Sequence, residues 1–329
     1  MCDIPGDLHA ITSTELLTHM ERRDFLKKSF LYGAATSLSL SAIAGASPDF
    51  AAANAKVRIK GNYDLVAVRG NDLVAMFDRS MTEMGGMQQW VKPGQTVVVK
   101  PNIGWDVVPE RAANTNPGLV AAIVKHCLQA GASRVTVFDH TCDNWQRSYT
   151  NSGIEKAVND AGGRLVPGNF ERNYRDVKIP GAQRLTEAKV HEQILDNDVF
   201  INVPVLKHHS STTLTIAMKN LMGIVWDRRF WHRSDLHQCI ADFCLFRKPD
   251  LNIVDAMLVM TQNGPRGTST ADLVRKNSLL VSSDVVAIDA ASALIFGEQP
   301  GNVGYLRIAE QMNIGSLDLS QMNIQRVYM

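Results

Sequence analysis

The sequence predicts an α/β fold: a doubly wound, mostly parallel sheet with helices on both faces. Strand-like and helix-like segments alternate along the chain from about residue 56 onward, and repeated strand–helix units favour a parallel sheet. The segment DVFINVPV at 198–205 is an almost continuous apolar, β-branched run, which is typical of a strand buried on both faces. We find no internal repeat and no long linker, so we expect residues 56–329 to form one domain.

The predicted elements follow in chain order. Strands are predicted at 65–68, 96–100, 134–139, 198–205, 251–255, 278–281 and near 327, and helices at 72–84, 116–130, 154–161, 214–222, 236–246, 284–296 and 303–312. The helix near 116 has the clearest start, because a capping asparagine precedes a proline suited to the first turn, and Gly131 stops it. Residues 163–188 are less regular and predict a β-rich stretch.

Residues 1–55 are predicted to be a targeting segment rather than part of the fold. Arg22 and Arg23 precede a mildly apolar stretch at 30–46, and alanines at 51, 53 and 55 offer cleavage sites. This resembles a twin-arginine export signal, which implies a periplasmic or exported protein, the twin-arginine export machinery as partner, and no stable membrane span after processing. An uncleaved amphipathic anchor is the alternative.

Composition excludes several classes of protein. The 329-residue chain carries 34 Lys and Arg against 33 Asp and Glu, so its charge gives no indication of nucleic-acid binding. Its five cysteines form no CxxC pair, and we therefore expect no iron–sulfur cluster. Cys239 and Cys244 fall on different sides of a predicted helix, which disfavours a disulfide between them.

The richest segment for chemistry is 202–223, NVPVLKHHSSTTLTIAMKNLMG. Lys207 and His208 follow the buried strand directly, and Lys219 and Asn220 lie on the next predicted helix. The carboxyl ends of parallel strands line the ligand crevice of an open α/β sheet. We therefore expect these side chains at a site, although a loop anchor and a solvated lysine are the plainer interpretations.

Polar residues also end other predicted strands. Lys100 and Asn102 end the strand at 96–100, Asp139 ends the next, and Asp255 ends a later one. Strand ends on one sheet edge converge in space, so a shared crevice is expected there. The sequence also predicts that Asp289 is buried and bonded, with Lys100, Lys207 or Lys219 as its partner.

Three further features allow more than one interpretation. Asn263 and Gly264 begin a loop whose backbone N–H groups are suited to an anion, or which is only a turn. His237 lies on an apolar helical face, so a bonded core histidine is the default and a metal ligand together with His208 the alternative. Residues 226–231 predict a packed surface loop first and a lid second.

Several motifs together resemble one known family. They are KPN at 100–102, TNP at 115–117, NVPVLKHH at 202–209, AMKNLMG at 217–223, LH at 236–237, NGP at 263–265 and SDVVAIDA at 283–290. The chain is similar to the prokaryotic family called domain of unknown function 362, for which the resemblance implies no established reaction. Some relatives carry ferredoxin-like cysteine clusters, and this chain has no such segment. More distantly, the fold resembles the substrate-binding part of nickel-pincer lactate racemases, a fold-level analogy only.

Two functions are compatible with these residues. The first is an exported enzyme in which Lys100, Lys207 and Lys219 bind a small carboxylate or phosphate and His208 or His237 serves as acid–base group or metal ligand. The second is a non-catalytic periplasmic binding or maturation protein that holds a cofactor or a divalent metal for a partner. In either case, the ligand or cofactor contacts are predicted at Asn102, Asn220, Asp255, Asn263 and Gly264.

The export prediction is tested by replacing Arg22 and Arg23 together with lysine. Because the paired arginines define this class of signal, the double variant is expected to stay in the cytoplasm as precursor, which cell fractionation and immunoblotting would measure. Replacing Lys27 and Lys28 with arginine is the control and should leave export intact. Normal periplasmic accumulation of the Arg-to-Lys variant would contradict the prediction.

Overall fold

The structure is a computed structural model, and it describes residues 63–329. The predicted signal at 1–55 lies outside these residues. Within them, the strands are β1 Leu65–Arg69, β2 Thr96–Pro101, β3 Arg134–Val137, β4 Arg164–Leu165, β5 Tyr174–Lys178, β6 Glu187–His191, β7 Val199–Val203, β8 Val205–His209, β9 Thr213–Thr215, β10 Leu251–Met260, β11 Leu273–Ser282 and β12 Ile324–Tyr328.

The helices of the same part of the chain alternate with these strands. They are α1 Leu73–Glu83, α2 Pro117–Gln129, α3 Trp145–Asn151, α4 Ile154–Asp160, α5 Glu192–Asp196, α6 Ala217–Asn220, α7 Arg228–Arg233, α8 Leu236–Phe243, α9 Val285–Phe296 and α10 Gly304–Gln311. Between residues 63 and 329, none of them is both long and apolar enough to span a membrane.

Ten of the strands form one mixed, mostly parallel sheet. The order is β12-β1-β11-β10-β7-β2-β3-β4, with β8 beside β10 and β9 beside β8, while β5 and β6 form a separate hairpin. Strands β10, β7, β2, β3 and β4 run parallel, whereas β11 is antiparallel to both of its neighbours. The predicted α/β class with a mostly parallel sheet is therefore confirmed.

The sheet separates two hydrophobic cores. Successive strand residues point to opposite faces, so Val97 and Val99 enter one core while Val98 enters the other. Helices α1 to α4 contribute to the core around Val97, and helices α5 to α10 contribute to the core around Val98. A central strand is covered on both faces and is therefore apolar at nearly every position, which explains why four of the five residues of β7 are apolar. Its one polar residue, Asn202, is buried and hydrogen-bonded.

The predicted strand at 198–205 differs from the structure at its end. Strand β7 stops at Val203, and after Pro204 the chain continues as β8, which pairs with the later half of β10 and folds back onto β9. Proline has no N–H for a ladder bond, which favours a break there. Lys207 and His208 are therefore strand residues rather than loop residues, and the helix predicted from Leu214 begins only at Ala217.

Asp289 holds the start of that short helix in place. Its carboxylate oxygens accept hydrogen bonds from the backbone N–H groups of Ala217, at 2.7 Å, and Met218, at 3.0 Å, and the side chain is fully buried. Asp289 is buried and bonded as predicted, but the expectation of a lysine partner is wrong, because the helix terminus supplies the donors. Burial raises the pKa of Asp289 to about 8.

We expect Asp289→Ala to lower the free energy of unfolding by about 1–3 kcal/mol, because two buried N–H groups lose their acceptor. Denaturant unfolding would measure the change. Asp160→Ala is the control, since Asp160 is exposed and makes only a surface pair with Lys156, which contributes little. Equal stability of the two variants would contradict the prediction.

Candidate functional site

A small polar pocket of about 70 Å³ lies beyond the carboxyl ends of β2 and β3. Strand β8, helix α6 and the segment that follows α6 close it. Its lining includes Lys100, Asn102, Asp139, His140, Cys142, Lys207, His209, Lys219, Asn220, Gly223 and Arg228. The predicted convergence of strand ends thus produces a shared pocket.

Lys100 and Asp139 form a buried ion pair in the wall of this pocket. The Lys100 Nζ lies 2.9 Å from Asp139 Oδ1 and also donates to Asn220 Oδ1 and to the Pro101 carbonyl, both at 2.9 Å. Burial lowers the pKa of Lys100, and the Asp139 carboxylate opposes that shift. Asp139 Oδ2 in turn accepts from the backbone N–H of Ile103. All three ammonium protons of Lys100 therefore have partners within the protein.

Lys207 and Lys219 are buried among neutral partners. Lys207 donates to Asn102 Oδ1, at 3.0 Å, and to the Ala113 carbonyl, and burial lowers its pKa to about 7. Lys219 donates to the sulfur of Met222, a weak acceptor, and burial lowers its pKa to about 8. Both ammonium groups thus lose their water without gaining a counter-charge.

A chain of asparagine amides runs beneath the lysines. Asn102 donates to Asn220 Oδ1 at 3.0 Å, Asn220 donates to Asn202 Oδ1 at 2.9 Å, and Asn202 donates to Asn252 Oδ1 at 3.0 Å. Each donated N–H fixes the orientation of its amide, so the oxygens of Asn102 and Asn220 point at the lysine ammonium groups. The chain makes this wall of the pocket rigid before any ligand arrives.

Arg228 forms part of the opposite wall of the pocket. Its guanidinium donates to the carbonyls of His140, at 2.8 Å, and Thr141, at 2.9 Å, and approaches the sulfur of Cys142 at 3.7 Å. Trp226 stacks on the His140 ring, with centroids 5.0 Å apart and planes 6° apart. The segment at 226–231 is therefore packed against the pocket, but residues 228–231 belong to helix α7 and not to the predicted loop.

The pocket carries a strong excess of positive charge. Four cationic side chains face one carboxylate, Asp139, among the described residues that line it. Burial lowers the pKa of His140 to about 4 and that of His209 to about 2, so both imidazoles are neutral near pH 7. A concave, partly desolvated site of one sign attracts ligands of the opposite sign.

The structure brings five predicted site residues together and places the others elsewhere. The five around the pocket are Lys100, Asn102, Lys207, Lys219 and Asn220. Their functional roles stay predictions.

Asp255, His208, Asn263 and Gly264 have structural contacts instead. Asp255 accepts from the backbone N–H groups of Asn116 and Met257 and so supports the start of α2. Because successive strand residues point to opposite faces, His208 lies on the face of β8 opposite Lys207. Its Nδ1 accepts a hydrogen bond from the Gly264 N–H at 3.1 Å. Asn263 is exposed and donates to Asp272, so Pro265 is the residue of this loop that reaches the pocket.

His237 stacks on Tyr305, with centroids 6.3 Å apart. Within residues 63–329, no hydrogen bond or ring contact joins His237 to His208, so the structure does not pair the two predicted metal ligands. The same residues contain no group of three or more His, Cys, Asp or Glu side chains placed to hold a metal ion. Cys127, Cys142, Cys239 and Cys244 are all free thiols.

The sequence prediction does not name Cys142, Arg228 or Gly223 as a site residue, and of the two adjacent histidines it assigns a role to His208 and not to His209. His209 lies two residues after Lys207, the spacing that shares a strand face, so recognising that β8 continues to 209 would have found it. Gly223 ends the sequence KNLMG, but only the structure shows that Asp139 and Lys100 occupy the space that a side chain at this position would need. No local pattern marks Cys142 or Arg228.

Comparison with known proteins gives a family and two similar folds. The family described as "Domain of unknown function (DUF362)" matches residues 97–294. A thylakoid-associated protein of Synechocystis sp. is 25% identical over 250 residues, which is 74% of this chain and 75% of that protein.

Two solved structures are also similar. The lactate racemase apoprotein from Thermoanaerobacterium thermosaccharolyticum matches with a TM-score of 0.43 and 11% identity over 67% of this chain and 54% of its own. A protein of Thermotoga maritima matches with a TM-score of 0.38 and 9% identity over 74% of this chain and 60% of its own. The chain thus spans less than two thirds of either protein, and the likeness concerns the fold alone.

Gly223→Ala tests the packing of the ion pair. A Cβ at Gly223 would overlap the Asp139 carboxylate and lie 2.6 Å from the Lys100 Nζ, so the pair must separate. We expect a loss of about 1–3 kcal/mol of stability together with loss of anion binding. Gly301→Ala, where the new methyl group meets no atom within 4 Å, is the control. Thermal melts that coincide for the two variants would contradict this account.

Proposed function

Because the chain belongs to the family described as "Domain of unknown function (DUF362)", its membership supplies no reaction, and we propose from the pocket itself that the protein is an enzyme acting on a small anion. The anion is a carboxylate or a phosphate bound by Lys207, Lys219 and Arg228. Export to the periplasm is part of the proposal and rests on residues 1–55 alone.

The observation that carries the proposal is the pair of buried lysines without an acidic partner. Lys207 is 1% exposed and Lys219 is 9% exposed, and a buried charge is costly unless it is paired. Two Lys207 protons point at protein acceptors, which leaves the third for a ligand. A bound anion supplies the missing counter-charge, since it gains from both lysines and from Arg228 at once.

The lowered pKa values support catalysis in addition to binding. A lysine with a pKa of about 7 is partly neutral at physiological pH, so its amine is available as a general base or nucleophile. The amide chain and the Lys100–Asp139 pair hold the surrounding groups in fixed positions, which lowers the cost of reorganisation in a transition state. Lys207 is therefore the residue we assign to proton transfer, and Lys219 and Arg228 are assigned to holding the anion.

Lys219→Met tests anion binding with little change in shape. We expect the variant to bind sulfate, inorganic phosphate and oxalate at least about tenfold more weakly by calorimetry, because one buried charge is lost. Lys125→Met is the matched control, since Lys125 is exposed. If wild type and both variants bind these anions equally, the proposal is wrong. Anion binding without turnover of any small carboxylate or phosphate ester would favour the non-catalytic binding or maturation protein.

The pH dependence of sulfate binding tests the lysine charges separately. Sulfate keeps its charge between pH 6 and 9, whereas Lys207 and Lys219 lose their protons as the pH rises through about 7 and about 8. Affinity is therefore expected to be near its maximum at pH 6 and to fall by about tenfold or more by pH 9. Calorimetry across this range measures it, and Lys207→Met should flatten the curve. An affinity that rises with pH would contradict the assignment.

A further inference from the structure

A second, much larger cavity adjoins the lysine pocket. This groove has a volume of about 1000 Å³ and lies beneath the segment at 226–231 and beside the β5–β6 hairpin. The pocket and the groove share three wall residues, His140, Cys142 and Arg228. The two spaces therefore meet at these three residues, and the lysine pocket has room for only the head of a ligand that extends past them into the groove.

The charge of the two spaces differs sharply. The pocket places four cationic side chains against one carboxylate. In the described lining of the groove, four cationic side chains are balanced by five acidic ones, and some of these are already paired, as Lys189 is with Glu171. A ligand that occupies both spaces is thus expected to concentrate its negative charge at one end.

The groove also offers aromatic surface next to the charged end. Trp226 lies flat on His140, one of the three residues shared by both spaces. Tyr174 contacts the His140 ring at 5.9 Å and the Trp226 ring at 5.3 Å between centroids. Phe230 lines the groove and is 42% exposed. Aromatic side chains at a concave site are suited to flat apolar groups, which stack on them.

We propose that the ligand is an aromatic anion, whose carboxylate or phosphate head occupies the lysine pocket and whose flat, uncharged body lies in the groove against Trp226 and Phe230. This inference rests on the proposed function, because it needs the lysine pocket to bind the head. It adds the substrate class, since the pocket alone accepts any small anion.

Two pairs of probes share a head and differ in the body. Phenyl phosphate is compared with methyl phosphate, and phenylacetate with acetate, by calorimetry on the full-length protein. In the pair whose head group fits the pocket, we expect the aromatic probe to bind at least about tenfold more tightly than its small partner. Binding of the phosphate pair or of the carboxylate pair then identifies the head group. Trp226→Ala and Phe230→Ala should each reduce the ratio between the affinity for the aromatic probe and the affinity for its small partner toward one. Tyr328→Ala, which removes an exposed ring from strand β12, should keep the ratio.

Alkylation of Cys142 gives an independent readout. Cys142 is exposed on the rim that joins the two spaces, while Cys127, Cys239 and Cys244 are buried. A saturating aromatic anion is expected to slow maleimide labelling of Cys142 several-fold, measured by mass spectrometry of the peptide that contains it.

The outcomes separate this inference from the proposed function. If both members of a pair bind equally, or if both groove variants keep the full ratio, the aromatic assignment is wrong while anion binding stands. If a bound aromatic anion leaves the labelling of Cys142 unchanged, the ligand does not cross the rim and the inference is overturned. If none of the four probes binds, the lysine pocket itself has been misassigned.

Discussion

Three lysine ammonium groups buried beside a single carboxylate are the constraint on which the site depends. The arrangement is costly because each ammonium loses water, and only Lys100 regains a full charge partner, in Asp139. The amide chain from Asn102 to Asn252 orients neutral oxygens toward the cations, which reduces the cost without removing the charge. The remaining positive potential is what distinguishes this pocket from an ordinary polar core.

The edge of the sheet and helix α6 hold the three lysines in their positions. Parallel strands deliver Lys100 and Asp139 to the same edge, and β8 adds Lys207 from beside β10. Helix α6 is only four residues long and cannot hold its own position by helix propensity, so Asp289 from α9 anchors its first N–H groups. The absence of a side chain at Gly223 then lets the segment after α6 approach the Lys100–Asp139 pair. Residues distant in sequence thus fix the position of Lys219.

Much of the fold and part of the site followed from sequence because both depend on local periodicity. The almost continuous apolar run at 198–205 predicted a central strand, and polar residues at the ends of the strands predicted at 96–100 and 134–139 indicated the crevice. The sequence failed where a choice depended on partners far along the chain. The residues that flank Asp255 in the sequence do not indicate that its carboxylate accepts a hydrogen bond from the Asn116 N–H. Those that flank Asp289 do not indicate that its partner is a helix terminus instead of the expected lysine. The predicted strand ends at residue 205, and only the additional strand β8 shows that His209 shares the face of Lys207 and that His208 does not.

The different surroundings of the three lysines also divide their roles. The sequence predicts that Lys100 binds the ligand, but Lys100 has its three protons engaged within the protein and is 1% exposed. Removing it leaves the Asp139 carboxylate buried without its cation, which in proteins costs about 3–5 kcal/mol. Loss of binding in that variant would therefore report damage to the wall and not a lost ligand contact. Lys219 has a thioether as its partner, so removing its charge leaves no buried anion behind. The lysine with the weakest protein partner is thus the one whose charge is free to act on a ligand.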